Sequence, residues 1–263
     1  MTALVDLVAD LGESFGAYRM GDDEALLEIV TSANVACGFH AGDPRVMDRT
    51  VSACARLGVA VGAHPSFPDL VGFGRRAMDL TPQEIRTDVL YQVGALSGFA
   101  SVHGTRLTHV TPHGRLGNLV VTDEAVAEAV ADAVNDYDAT LVLLTQEGLL
   151  ATAARERKQP VAILGLADRA YSDDGTLVPR SEPNAVLTDP GEVAERTVRM
   201  ITEGIVRSAR GQEIPVVCDS VLLHGDTPGA VKLAHRVRRE LAAAGVDIAP
   251  LSHVLAAKAH RSL

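Results

Sequence analysis

Four histidines, His40, His64, His113 and His224, each stand just after a short apolar run of the chain. Polar groups share that placement. Asp10 and Glu13 follow the first run, Asn34 lies at the second, Asp168 and Arg169 follow the sixth, and Asp226 follows the seventh. Imidazole serves near neutral pH as general base, proton shuttle or metal ligand. Arg75 and Arg76 close the segment Gly72-Phe73-Gly74-Arg75-Arg76, and Arg180 ends Leu177-Val178-Pro179-Arg180. A guanidinium fork matches a carboxylate or phosphate. Together these groups point to a hydrolase-type site for a small polar substrate, built from loops that follow strands.

Each feature also has a plainer reading. In SANVACGFHAGDP, residues 32–44, Asp43 is either a helix N-cap or a ligand contact, and Asp226 in His224-Gly225-Asp226-Thr227-Pro228 carries the same ambiguity. Arg75-Arg76 and Arg180 are either substrate clamps or salt-bridged surface groups. Cys37 is most simply a small buried residue, since no neighbour is placed to activate a thiol. His103, His109, His235, His253 and His260 lack the strand-end setting and are expected at the surface or in packing. The sequence contains no GxxxxGK[ST], GxGxxG or HExxH, so a Walker-type phosphate loop and the HExxH zinc motif are both excluded.

The elements that must position these groups alternate. Strands are expected near Leu4–Ala9, Thr31–Ala36, Val59–Ala63, Leu107–Val110, Thr140–Leu144, Val161–Leu166 and Ser220–Leu223, with a further short one near Val246–Ala249. Between them lie amphipathic segments with marked starts: Asp43-Pro44, the capping box Thr81-Pro82-Gln83-Glu84, Asp189-Pro190 and Thr227-Pro228. Strand–helix alternation over the whole chain argues for a parallel sheet, either closed into a β/α barrel or open and doubly wound. In both cases ligands bind at the carboxyl ends of the strands. No linker, charge block or repeat interrupts residues 1–263, which are read as one domain. The aperiodic stretch 168–189 is expected to be an ordered loop over the site.

Composition narrows the partners. Of 263 residues, 47% are hydrophobic but only 3% aromatic, so the core must be built from Ala, Val, Leu and Ile. The net charge of −10 argues against nucleic acid and anionic membrane as partners. Three cysteines without CxxC spacing fit reduced thiols in a cytoplasm. The acidic N-terminus does not read as a signal peptide, and no apolar run is long enough for a membrane span.

Several segments together carry a resemblance. DLVADLGESFG (6–16), SANVACGFHAGDP, GAHPSFPDLVGFGRR (62–76), Tyr91–Leu96, Ala167–Tyr171, Leu177–Arg180 and His224–Pro228 resemble, in order, the motifs of the LamB/YcsF family. The resemblance implies an irregular seven-stranded β/α barrel of the glycoside hydrolase/deacetylase type. It implies opening of 5-oxoproline (pyroglutamate) to glutamate with ATP and water, together with partner subunits B and C. Under it, Asp10, Glu13, His40, His64, His113, Asp168 and His224 are expected to be catalytic. Asn34, Arg75, Arg76, Arg169, Arg180 and Asp226 are expected to hold substrate or phosphate. A divalent metal on His and carboxylate ligands is compatible with this set. Two positions depart from the family pattern: Val8 stands where Asn is usual and Thr111 where Lys is usual. These departures motivate two alternatives, a stand-alone metal-dependent amidohydrolase or carbohydrate deacetylase, and a non-catalytic scaffold protein.

Overall fold

The computed structural model describes residues 3–261. In chain order the elements are β1 (Ala3–Leu11), α1 (Asp23–Leu27), β2 (Ser32–Ala36), α2 (Pro44–Leu57), β3 (Ala60–His64), α3 (Pro82–Val102), β4 (Leu107–Val110), α4 (Gly114–Thr122) and α5 (Glu124–Asp138). There follow β5 (Val142–Thr145), α6 (Leu149–Glu156), β6 (Val161–Leu166), α7 (Pro190–Thr202), β7 (Ile205–Arg207), β8 (Glu213–Pro215), β9 (Ser220–His224), α8 (Ala230–Ala243), β10 (Val246–Ile248) and α9 (Leu251–Arg261).

Strands β1, β2, β3, β4, β5, β6 and β9 pair in that order, all parallel, and β9 returns to β1 to close a seven-stranded barrel. The open doubly wound alternative is therefore excluded. The eighth expected strand, β10, stays outside the ring and pairs with the start of β1 at Ala3–Val5. Strands β7 and β8 form a small antiparallel hairpin that the sequence pattern does not reveal.

Side-chain alternation along β1 divides the core in two. Val5, Leu7, Ala9 and Leu11 join the large cluster between barrel and helices. Asp6, Val8 and Asp10 share the other parity. Val8 packs with Leu144, Leu164, Leu166 and Leu222 in a second cluster. Below it the buried Asp6 carboxyl accepts hydrogen bonds from the Ser32, Ser220 and Thr31 hydroxyls. Above it Asp10 stands in register with Asn34 on β2 and His224 on β9. The lumen is thus layered: hydroxyls and a carboxyl at the bottom, an apolar middle, and a polar top at the strands' carboxyl ends.

The helix starts follow the capping signals at three of four places. Asp43 accepts from the amides of Arg45 and Val46, Thr81 and Glu84 complete a reciprocal capping box, and Asp189 accepts from Glu192. Asp43 also accepts from Gly16 N at 2.7 Å, so both its oxygens serve backbone amides and its role is that of a cap. The fourth signal misplaces the start. Helix α8 begins at Ala230 after Gly229 at φ 85°, and Thr227-Pro228 belongs to the preceding turn.

Candidate active site

A cavity of about 340 Å³ opens at the carboxyl ends of the strands, at the small end of the usual range for ligand pockets. Asp10, His64, His113 and His224 line it with a carboxylate and imidazoles, Arg75, Arg169 and Arg180 line it with cations, and Leu144, Leu164, Leu166 and Leu222 supply its apolar lining. The loop between β6 and α7 supplies Leu177, Pro179, Arg180 and Ser181 to the lining.

Asp10 is the centre of the polar lining. Its Oδ1 accepts from Asn34 Nδ2 at 2.9 Å and lies 3.3 Å from His64 Nε2. Burial alone would raise this carboxyl; the facing imidazoles of His64 and His224, with the hydrogen bond from Asn34, outweigh burial and hold it well below the usual carboxylate range. Asp10 is therefore an anion kept in a buried setting.

His64 and His113 are anchored by carbonyls. His64 Nδ1 donates to Thr111 O at 2.6 Å, and His113 Nε2 donates to Phe73 O at 3.0 Å. Their remaining nitrogens, His64 Nε2 and His113 Nδ1, face each other at 3.0 Å. The segments bearing these rings are themselves fixed. Gln92 on α3 clasps both backbone groups of Ser66, accepting from its N–H and donating to its carbonyl, each at 2.9 Å. Gly74 (φ +64°) lets the next loop close over them, because a Cβ there would meet Ser66 Oγ, His40 Cβ and His113 Cδ2.

His40 and Glu13 lie outside the cavity lining. His40 is fully buried and stacks on His113 with centroids 3.9 Å apart and planes 8° from parallel. Neither His40 ring nitrogen, nor Glu13 Oε1, has a hydrogen-bond partner. Burial drives both His40 and His113 well below the ordinary imidazole range, and it drives Glu13 well above the ordinary carboxyl range, helped by the Asp10 charge. One donor atom from each of Glu13, His40, His64 and His113 lies within 4.8 Å of the others. This buried Glu/His cluster is able to hold a metal.

Asp168 is fully buried and accepts from His224 twice, from Nδ1 at 2.7 Å and from the backbone N at 3.1 Å. Burial opposes its charge, but His224 outweighs burial and holds the carboxyl low. The arrangement commits Nδ1 of His224 to a proton on a ring that lines the cavity, the orienting role a carboxylate plays behind a working imidazole.

The remaining residues fall into distinct settings. Arg169 touches the cavity, yet its guanidinium donates to Ala185 O and Val178 O and so fastens the covering loop. Arg75 donates to Asp226 at 2.7 Å across the mouth, with its guanidinium over the Phe73 ring. Arg76 stands apart on the rim, paired with Asp69 and 63% exposed. Asn34 reaches Asp10 and not the cavity. Arg180 lines the cavity with its cation held below its ordinary value, chiefly by burial and then by the Arg75 charge. Cys37 is pushed up to about 12 by burial, which removes its thiolate from consideration.

One residue expected in packing or at the surface belongs to this network. His109 is fully buried on β4, and its Nε2 donates to Asn34 Oδ1 at 2.9 Å while Nδ1 lies 2.8 Å from Thr108 Oγ1. A hydrogen-bond chain thus runs from Thr108 through His109 and Asn34 to Asp10. Gly62 makes room for it, since a Cβ there would lie 2.0 Å from His109 Nε2. The available signal is a histidine inside an otherwise buried strand, which must find a polar partner.

The chain is 52% identical over 252 residues to the A subunit of a 5-oxoprolinase from Methylococcus capsulatus, covering 95% of this chain and 97% of that protein. A crystal structure of a lactam utilization protein from Thermus thermophilus superposes with a TM-score of 0.88 at 45% identity, covering 93% of this chain and 98% of that one. A T48 deacetylase solved with substrate matches at TM-score 0.51 and 14% identity, over 97% of this chain and 92% of that one, which is a likeness of fold alone. The profile of the LamB/YcsF family matches residues 5–256, and the chain belongs to that family.

Proposed function

We propose that this chain is the A subunit of a 5-oxoprolinase, opening the five-membered lactam of 5-oxoproline to glutamate with ATP as co-substrate. The observation that carries the reading is the chemistry of the cavity lining, which combines imidazoles and Asp10, the cations Arg75 and Arg180, and four leucines. A cyclic amino acid presents the matching surfaces. Its carboxylate suits the arginines, its ring methylenes suit the leucines, and its lactam C=O and N–H suit the acid–base groups.

A lactam is an amide and resists hydrolysis at neutral pH. Transfer of the γ-phosphoryl group to the lactam oxygen, with ADP leaving, makes the ring carbon electrophilic and the oxygen a leaving group. A first water adds to that carbon and the C–N bond breaks as a proton reaches the nitrogen, which leaves a glutamyl phosphate; a second water then releases glutamate and phosphate. Asp10 is placed to take the proton from water, and His224, backed by Asp168, to deliver one. A divalent ion on Glu13, His40, His64 and His113 would supply positive charge beside the same groups. An enzyme component of this kind works with other subunits. We identify them as 5-oxoprolinase subunits B and C and place the complex in the cytoplasm, in keeping with three free cysteines and with no described helix long and apolar enough to cross a membrane. Mixing the chain with B and C should give 5-oxoproline-dependent ADP and glutamate. A well-folded preparation that gives no glutamate refutes the reading.

The Glu/His cluster favours one second reading, a stand-alone metal-dependent amidohydrolase or carbohydrate deacetylase. Acetate release from N-acetylated sugar oligomers by the chain alone would support it, and its absence in metal-loaded protein would dismiss it.

A further inference from the structure

We propose that Glu13, His40, His64 and His113 form a site for one divalent transition-metal ion of the zinc class. Proton counting carries the argument. Carbonyl oxygens only accept, so the hydrogens of His64 and His113 sit on Nδ1 and Nε2, which donate to Thr111 O and Phe73 O. With both rings neutral, the nitrogens facing each other at 3.0 Å present lone pairs to one another. A positive centre is required between them. A single proton would satisfy those two nitrogens and leave both nitrogens of His40 and Glu13 Oε1 buried without partners. One metal ion serves all four residues.

Dimensions and chemistry agree. The neighbouring donor distances are 3.0 Å (His64 to His113), 3.5 Å (His40 Nε2 to Glu13 Oε1) and 3.8 Å (His113 Nδ1 to Glu13 Oε1). These three bracket the edge of roughly 3.3 Å expected of a tetrahedral shell with bonds of about 2.0–2.1 Å, and the other three pairs lie within 4.8 Å. His40 stacks on His113, so it is the donor that must turn its ring to complete the shell. Carbonyls anchoring the far nitrogens of ligand imidazoles are the usual outer support of such sites. Three imidazoles and one carboxylate select zinc, cobalt or nickel over magnesium and calcium, which demand oxygen ligands.

The inference rests on side-chain geometry and not on the lactam reading, so either can fail while the other stands. Protein made without an oligohistidine tag is stripped with a chelator and titrated with cobalt(II). About one ion per chain is expected, with the visible d–d bands of a four-coordinate site. His113→Ala and His40→Asn should abolish the bands and weaken binding at least about ten-fold. His235→Ala, at an exposed histidine, should change nothing. His40→Asn removes no hydrogen bond and so keeps the test open if His113→Ala fails to fold. Folded protein that takes up far less than one cobalt per chain overturns the proposal, as does a wild-type spectrum in His40→Asn.

Discussion

Replacing His109 by Leu isolates the chain that ends on Asp10. The substitution removes the donor to Asn34 Oδ1 and leaves that oxygen buried without a partner, at a cost of about 1–3 kcal/mol. It also frees the Asn34 amide to turn and present its oxygen to Asp10, which then loses the 2.9 Å hydrogen bond from Nδ2. A hydrogen bond to a charged group contributes about 1.5–3 kcal/mol. At 1.36 kcal/mol per pK unit, the Asp10 carboxyl should rise by about one to two units. An acid limb of kcat/KM set by Asp10 should move up by the same amount, while the basic limb stays in place. Stability has a matching signature. A carboxyl held low in the folded state stabilises above its unfolded value and loses that contribution as pH falls through the lower folded value. The penalty of His109→Leu should therefore be largest near pH 7 and shrink in acid. His109→Gln, whose amide can donate to Asn34, should restore part of the limb. If His109→Leu loses stability equally at every pH and its acid limb does not move, His109 is a packing residue and the chain has no bearing on Asp10.

Asp168→Asn should lower kcat by about 10²–10⁴-fold, because the amide cannot accept from both His224 N–H groups and the ring loses its orientation; a change under about two-fold sinks that role. Arg180→Gln should raise KM for 5-oxoproline at least about ten-fold with kcat nearly unchanged, the mark of lost uniform binding, and an unchanged KM removes Arg180 from the substrate. Thr111→Val should stabilise the chain by about 1 kcal/mol, since the buried Oγ1 has no partner and a methyl of the same shape needs none. Thermal unfolding checks it, and a loss of more than about 1 kcal/mol would show that the hydroxyl is satisfied in solution.

Val8 and Thr111, the two departures from the family motifs, lie close to the cavity and explain its character. Val8 joins Leu144, Leu164, Leu166 and Leu222 in the lumen, directly below the Asp10 layer. Thr111 contributes its backbone oxygen to His64, a bond indifferent to the side chain, while its own hydroxyl stays idle. This part of the lumen is accordingly apolar, and the cations of the cavity come from loops, Arg75 and Arg180, and not from the strand ends.

The linear sequence determined what depends on local and periodic physics. Largely apolar runs marked the seven barrel strands, because strands buried on both faces carry few polar residues. Proline after a capping side chain marked the starts of α2, α3 and α7, because the cap and the first turn are local. Strand-end polar residues marked the face where a site could form, because parallel strands share one direction. Tertiary structure alone decided the rest. Closure of β9 onto β1 joins residues more than 200 positions apart, and no local signal encodes that pairing. Closure is what sets His224 opposite Asp10. The path of the loop between β6 and α7 sends Arg169 into that loop's own carbonyls, the assembled fold brings Asp226 to Arg75, and a guanidinium in sequence cannot declare which acceptor will be in reach. His109 reads as a packing residue for the same reason: its partner, Asn34, lies 75 residues away and becomes its neighbour only once the strands have assembled into a ring.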